Sequence, residues 1–75
     1  MRKAFVLINT DLGSEVELLS ELKKIEGVVG TFAVYGVYDM VVEIEAESEQ
    51  KFKEIIFSRI RRLKHVRSTL TLSVT

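Results

Sequence analysis

Tyr35-Gly36-Val37-Tyr38-Asp39 is the stretch on which the fold turns. A strand-like run ends at Tyr35 and the apolar-rich run Met40-Val41-Val42-Glu43-Ile44 follows Asp39, so the five residues read as a tight reversal between two strands. Gly36 can take backbone angles that other residues resist, Tyr38 brings a ring and a hydroxyl, and Asp39 carries a charge to the start of the next strand. The plain reading of Gly36 and Asp39 is that they make the turn; the other is that the hairpin carries chemistry at its tip.

Upstream, Val28 to Tyr35 forms the first arm, with Phe32 and Val34 expected on one face and Thr31, Ala33 and Tyr35 on the other. Ahead of it lies a helix. Ser14 and Glu17 make an S-x-x-E capping box, Val16, Leu19, Leu22 and Ile25 form the apolar stripe, and Gly27 ends it. The polar loop Asn9 to Gly13 separates this helix from the opening run Lys3-Ala4-Phe5-Val6-Leu7-Ile8. That run is apolar on both faces, the mark of a central strand with something covering each side of its sheet.

Downstream, the third strand sets Met40, Val42 and Ile44 on one face and Asp39, Val41, Glu43 and Glu45 on the wetter one. Ser48 caps a second helix with the stripe Phe52, Ile55, Ile56, Ile60 and Leu63. Its last turns carry Arg59, Arg61, Arg62 and Lys64, which suit the negative end of the helix dipole. Val66 to Val74 closes the chain as a strand with Leu70, Leu72 and Val74 on one face and Thr69, Thr71 and Ser73 on the other.

The order is strand, helix, strand, strand, helix, strand, and the two halves echo each other: Ile25, Val28 and Thr31 match Leu63, Val66 and Thr69 at the same spacing. A doubled βαβ unit with right-handed crossovers predicts an α+β, ferredoxin-like βαββαβ two-layer sandwich. Its antiparallel sheet has the order 4-1-3-2, with both helices on one face. In that topology Asn9 and Thr10, Gly36 to Asp39, and Arg67 to Thr69 gather at one end of the sheet. The helices leave the other sheet face bare, where Val41, Ala33 and Tyr35 are expected to add to the apolar side of the first strand. The simplest cover is a second copy, sheet against sheet, in a homodimer edged by a pair from Lys3 to Glu43 or Glu45.

Seventy-five residues make one domain, 1–75, with a core thin enough to favour oligomerisation. Eleven Lys and Arg residues balance 11 Asp and Glu, which removes the broad attraction that nonspecific nucleic-acid binding needs. An RNA-recognition reading of the topology wants aromatic residues on the central strands, and the third strand has none. The basic run Arg59 to Arg67 is interrupted by Ile60, Leu63 and Val66 and reads as a solvated face. Without cysteine there is no disulfide, thiolate metal site or cysteine nucleophile, and one histidine, His65, read as a solvated residue, leaves little for metals. No nucleophile–base pair or phosphate loop is present, so no enzyme activity, metal or cofactor is expected. No signal peptide or membrane span is visible, which points to a cytoplasmic protein.

The runs Ala4-Phe5-Val6-Leu7-Ile8, Gly36-Val37-Tyr38-Asp39 in a G-x-Y-D position, and Val66-Arg67-Ser68-Thr69-Leu70-Thr71, in this order, resemble the ligand-binding domain of the Lrp/AsnC family of feast/famine transcription regulators. The likeness covers essentially the whole chain. Family regulators carry an N-terminal helix-turn-helix, whereas this chain begins directly at strand one, so the resemblance implies a stand-alone effector domain. It further implies dimers that assemble into a higher oligomer, a free amino acid bound near the hairpin, and a full-length Lrp/AsnC-type regulator as partner. Asp39 can meet the ligand's ammonium and the backbone N–H groups around Gly36 its carboxylate. Tyr38 can wall the side-chain pocket, and Thr69 and Thr71 can add hydroxyls. The plain alternative for Thr69 and Thr71 is β-propensity, and for Asp39 a turn contact. Two other classes stay open: a small dimeric α+β enzyme, and a purely structural interaction domain.

Overall fold

In the computed structural model, which describes residues 2–74, the elements form in the expected order. They are β1 (Arg2–Thr10), α1 (Glu15–Lys23), β2 (Val28–Ala33), β3 (Met40–Ala46), α2 (Glu49–Lys53) running on into a π-helical segment (Glu54–Ile60), and β4 (Val66–Val74). The sheet is antiparallel with the order β2-β3-β1-β4, the expected order read from the other edge, and the fold is ferredoxin-like α+β.

β1 is central because both its faces are apolar. Ala4, Val6 and Ile8 are buried under the helices, while Phe5 and Leu7 sit half-buried on the opposite, open face. Pairing carries the same parity across the sheet: Met40, Val42 and Ile44 of β3 lie beneath the helices beside Ile8, Val6 and Ala4. Leu18, Leu22, Ile55, Ile56 and Ile60 close the core from above.

The two halves share their joints as well as their pattern. Ser14 and Ser48 accept the first helical bonds from Leu18 and Phe52 at 3.0 and 3.1 Å. At the other ends, Val28 N–H donates to Ile25 O and Val66 N–H to Leu63 O, both at 3.2 Å. Gly27 has φ +99°, a backbone conformation that favours glycine, and a side chain there would begin 2.6 Å from Ile55 Cδ1, which would have to move aside.

Four expectations are corrected. α1 is rotated relative to the predicted stripe: Leu18 is 1% exposed and Val16 80%. Leu18, Leu22 and Ile25 are spaced i, i+4, i+7 on one face, and Val16 falls on the other. Ser14 makes no side-chain cap bond: its backbone, at φ −105° and ψ 8°, is not in the extended conformation that Ser48 adopts, its N–H donates to Asp11 O at 3.1 Å, and the Glu17 carboxylate, expected to reach back to it, meets His65 instead; Ser48 does cap, accepting from Lys51 N–H at 3.2 Å. β2 ends at Ala33, not Tyr35, and its faces are exchanged: Ala33 pairs with buried Met40 on the helix side, and Phe32 pairs with Val41 on the open face. The Phe32 ring lies against Gly30, whose missing side chain leaves room for it. His65 is not simply solvated, as described below.

The second helix widens after Lys53. Arg61 N–H donates to Ile56 O at 2.9 Å, a five-residue step, which brings Ile55 and Ile60 to the same buried face. Phe57 turns outward, with the Arg61 guanidinium carbon 5.1 Å from its ring centroid.

On the open face, Lys3 Nζ meets Glu43 Oε2 at 3.1 Å, the diagonal rather than the directly opposite acid, Glu45. That hydrogen bond, reinforced by the same carboxylate's charge, raises the Lys3 pKa above its ordinary value.

The α1 rotation generates a direct test. Leu18→Ala is expected to cost about 2–5 kcal/mol in urea unfolding, whereas Val16→Ala stays within about 0.5 kcal/mol of the parent. Equal losses at the two positions would show that α1 buries a different face.

Candidate functional site

The end of β1, the loop 34–39 and the start of β4 meet at one end of the sheet. Asp39 organises the meeting: its N–H donates to Ile8 O at 3.0 Å, and its Oδ2 accepts from Thr10 N–H at 2.9 Å. Its carbonyl accepts from Val34 N–H at 3.0 Å, closing the loop. Thr10 is buried, and its hydroxyl donates to Asp11 O at 3.2 Å. Across from it, Asn9 Nδ2 donates to Ser68 Oγ at 3.1 Å, and Arg67 Nε stands 3.8 Å from Asp11 Oδ1. Asn9, Thr10, Asp39, Arg67 and Ser68 line one open depression of about 420 Å³.

Of the five residues expected at a binding site, Asp39 alone lines this depression. Gly36 lies on the exposed loop with φ +143°, a conformation that favours glycine, and nothing stands within 4 Å of where a side chain would begin. Tyr38, next to Asp39, is half-buried, while Tyr35 and Val37 extend into solvent. Thr69 and Thr71 go elsewhere. They pair with Ile8 and Val6 and so share the helix side of the sheet, where they border a groove of about 960 Å³ between β4 and the second helix.

Asn9, Arg67 and Ser68 were legible as neighbours of the hairpin, yet their side chains carried no local motif. The Asn9–Ser68 contact follows only from the β1–β4 register. His65 has two acidic neighbours that sequence spacing hides: Nε2 lies 2.9 Å from Glu17 Oε2 and Nδ1 3.6 Å from Asp11 Oδ2. It braces the β1–α1 connection against the entrance to β4, where Asp11 N–H also donates to His65 O at 3.0 Å.

The profile of the Lrp/AsnC ligand-binding domain matches residues 3–75. The chain belongs to the Lrp/AsnC ligand-binding domain family. A helix-turn-helix-type transcriptional regulator of Pyrococcus furiosus is 31% identical over 72 residues, which are 92% of this chain and 48% of the regulator. The chain thus spans about half the length of the curated relative it matches. Among solved structures, FFRP-DM1 superposes with a TM-score of 0.96 at 29% identity, over the whole of both chains. The regulator NMB0573 of Neisseria meningitidis, solved as an L-Met complex, has a TM-score of 0.90 at 14% identity, covering 99% of this chain and 49% of its own. That last likeness is one of fold. Within this Lrp/AsnC domain, no described helix is long and apolar enough to cross a membrane.

The Asp39 bracket has a measurable worth. Asp39→Ala strands the Thr10 N–H and is expected to cost about 1–3 kcal/mol in urea unfolding, while Asp39→Asn, which keeps an oxygen in place, costs less. An Asp39→Ala domain as stable as the parent would remove the carboxylate from the list of structural supports.

Proposed function

We propose that this domain binds a free amino acid at the Asp39 end of its sheet and acts as an effector module in transcription regulation, in company with an Lrp/AsnC-type regulator. The observation that carries the reading is the pair of opposite charges on one depression. Asp39 and Arg67 both line it, together with Asn9, Thr10 and Ser68. A zwitterion is matched by that arrangement: its ammonium goes to the carboxylate oxygen not used by Thr10, and its carboxylate to the guanidinium. Backbone N–H groups of the loop around Gly36 and the ring of Tyr38 remain candidates for the rest of the pocket, as the family resemblance implies. Thr69 and Thr71 are left out of the proposed pocket because they lie on the helix side of the sheet and line the other groove. The L-Met complex of the Neisseria regulator supports the choice of ligand class, because a regulator that contains a domain of this fold was solved with a free amino acid.

Assembly is the second half of the proposal. The open sheet face carries Phe5, Leu7, Phe32, Val41, Leu70 and Leu72, with Phe32, Leu70 and Leu72 each about half exposed. A second copy packed sheet to sheet would cover them, with the Lys3–Glu43 pair at the margin, and such dimers would build the higher oligomer. A purely structural domain would share this assembly and ignore amino acids.

Calorimetric titration with each standard amino acid is expected to find one or a few that bind, with Asp39→Asn weakening the best of them by at least about tenfold because the charge is lost while the Thr10 contact is kept. Unaltered affinity in that variant would take Asp39 out of the site, and no binding by any amino acid would leave the structural reading. Val41→Glu is expected to convert the dimer to monomer in light scattering, since it buries an unpaired charge; an unchanged mass would mean that the open face is covered in another way.

A further inference from the structure

Asp11, in the connection between β1 and α1, does not line the Asp39 depression, yet its carboxylate meets the cation that does. Its backbone is pinned three ways. The N–H donates to His65 O at 3.0 Å, and the carbonyl accepts from Ser14 N–H at 3.1 Å and from the Thr10 hydroxyl at 3.2 Å. The carboxylate then divides its two oxygens: Oδ2 faces His65 Nδ1 at 3.6 Å, and Oδ1 faces Arg67 Nε at 3.8 Å. His65 is itself held through its other ring nitrogen, Nε2, which lies 2.9 Å from Glu17 Oε2. The four side chains run in a row from α1 to the start of β4, in the order Glu17, His65, Asp11, Arg67, and the row ends at the depression.

Arg67 is a residue that needs such support. Its side chain is 70% exposed, and Asp11 is its one ion-pair partner among the described residues. A long cation free in solvent loses rotamer freedom when it closes on an anion, and one already steered toward its working position loses less. The point of contact matters too. A neighbour at Nε leaves the two terminal NH2 groups of the guanidinium, a parallel pair of donors that fits a carboxylate. At 3.8 Å the Asp11 contact is longer than a hydrogen bond, so Asp11 aims the cation without capturing it. A carboxylate that captured Arg67 would act as a brake on binding, and the two roles move affinity in opposite directions.

We propose that Asp11, braced by His65, is a positioning residue of the effector site: it aims the Arg67 guanidinium so that the terminal nitrogens take the α-carboxylate of the bound amino acid. The inference rests on the reading of the depression as the amino-acid site. It adds a residue outside the pocket that governs recognition of one end of the ligand, the carboxylate, and leaves the ammonium to Asp39.

Asp11→Asn tests it, because the variant keeps the shape and the backbone bonds and removes only the charge. The position is half-exposed, and circular dichroism would check the fold. The measurement is calorimetric titration of parent and variant with each standard amino acid, and with the α-carboxamide of each one that binds. The variant is expected to bind the amino acid about three- to fivefold more weakly, the size of an exposed ion-pair effect. Its affinity for the carboxamide, which brings no carboxylate to Arg67, should equal the parent's. In an Arg67→Gln background Asp11→Asn should have no further effect. A merely structural role for Asp11 would lower both affinities together, and that outcome would overturn the proposal. So would unaltered or tighter amino-acid binding in Asp11→Asn, the tighter case marking a brake. Either result leaves the depression as the site, since the parent binds, whereas a parent that binds no amino acid would overturn both readings together.

Discussion

Asp39 holds the loop end of the molecule together with two bonds to one strand: its amide to Ile8 and its carboxylate to Thr10. Ile8 and Thr10 flank Asn9, so the bracket fixes the last residues of β1, and with them the side chain of Asn9 and the point where the chain leaves for α1. The partner strand β4 enters beside the same point, and its Ser68 accepts from Asn9. One residue, through its amide and its carboxylate, thereby ties the hairpin loop to the end of β1, beside which β4 enters. A carboxylate with one oxygen committed to a backbone amide still has lone pairs to offer, which is what lets this structural contact double as the ammonium partner in the proposed site.

The remainder of the fold follows from how little there is to bury. Two short helices cover one side of four strands, and the buried residues of β1 and β3 form most of that layer's floor. Gly27 lets the first helix end close against Ile55, and the five-residue step in the second helix keeps Ile55, Ile56 and Ile60 on the core face together. The same step turns Phe57 outward toward the β4 groove. On the opposite side the sheet remains half-covered and apolar, held at one margin by Lys3 and Glu43. A domain with this form has more apolar surface than one layer of helices can hide, which is the physical ground for expecting it in company.

Much of this was legible in the chain. The doubled pattern gave the strand order, because matching residues at Ile25 and Leu63, Val28 and Val66, make equivalent bonds. The gathering of Asn9, Thr10, Asp39 and Ser68 followed from that order alone. What escaped depended on parity, phase or distance. Phe32 and Ala33 are both apolar enough for either face, and only the pairing of Ala33 with Met40 decides between them. Val16 and Leu18 compete for the same stripe, and the spacing of Leu18 with Leu22 and Ile25 wins. Glu17 looks like half of a capping box until tertiary structure offers His65, 48 residues away. Thr69 and Thr71 lie one and three residues past Ser68, yet alternation along β4 turns them to the helix side and away from the depression.

The central claim is that the effector site is the depression lined by Asp39 and Arg67. An amide chemical-shift titration of the isotope-labelled domain with the standard amino acids tests it most directly. The binding amino acid is expected to move the amides of Asn9, Thr10, Asp39, Arg67 and Ser68 most, with the centre of β3 little affected. Largest shifts along Thr71 to Val74 and the second helix, or no shifts from any amino acid, would contradict it.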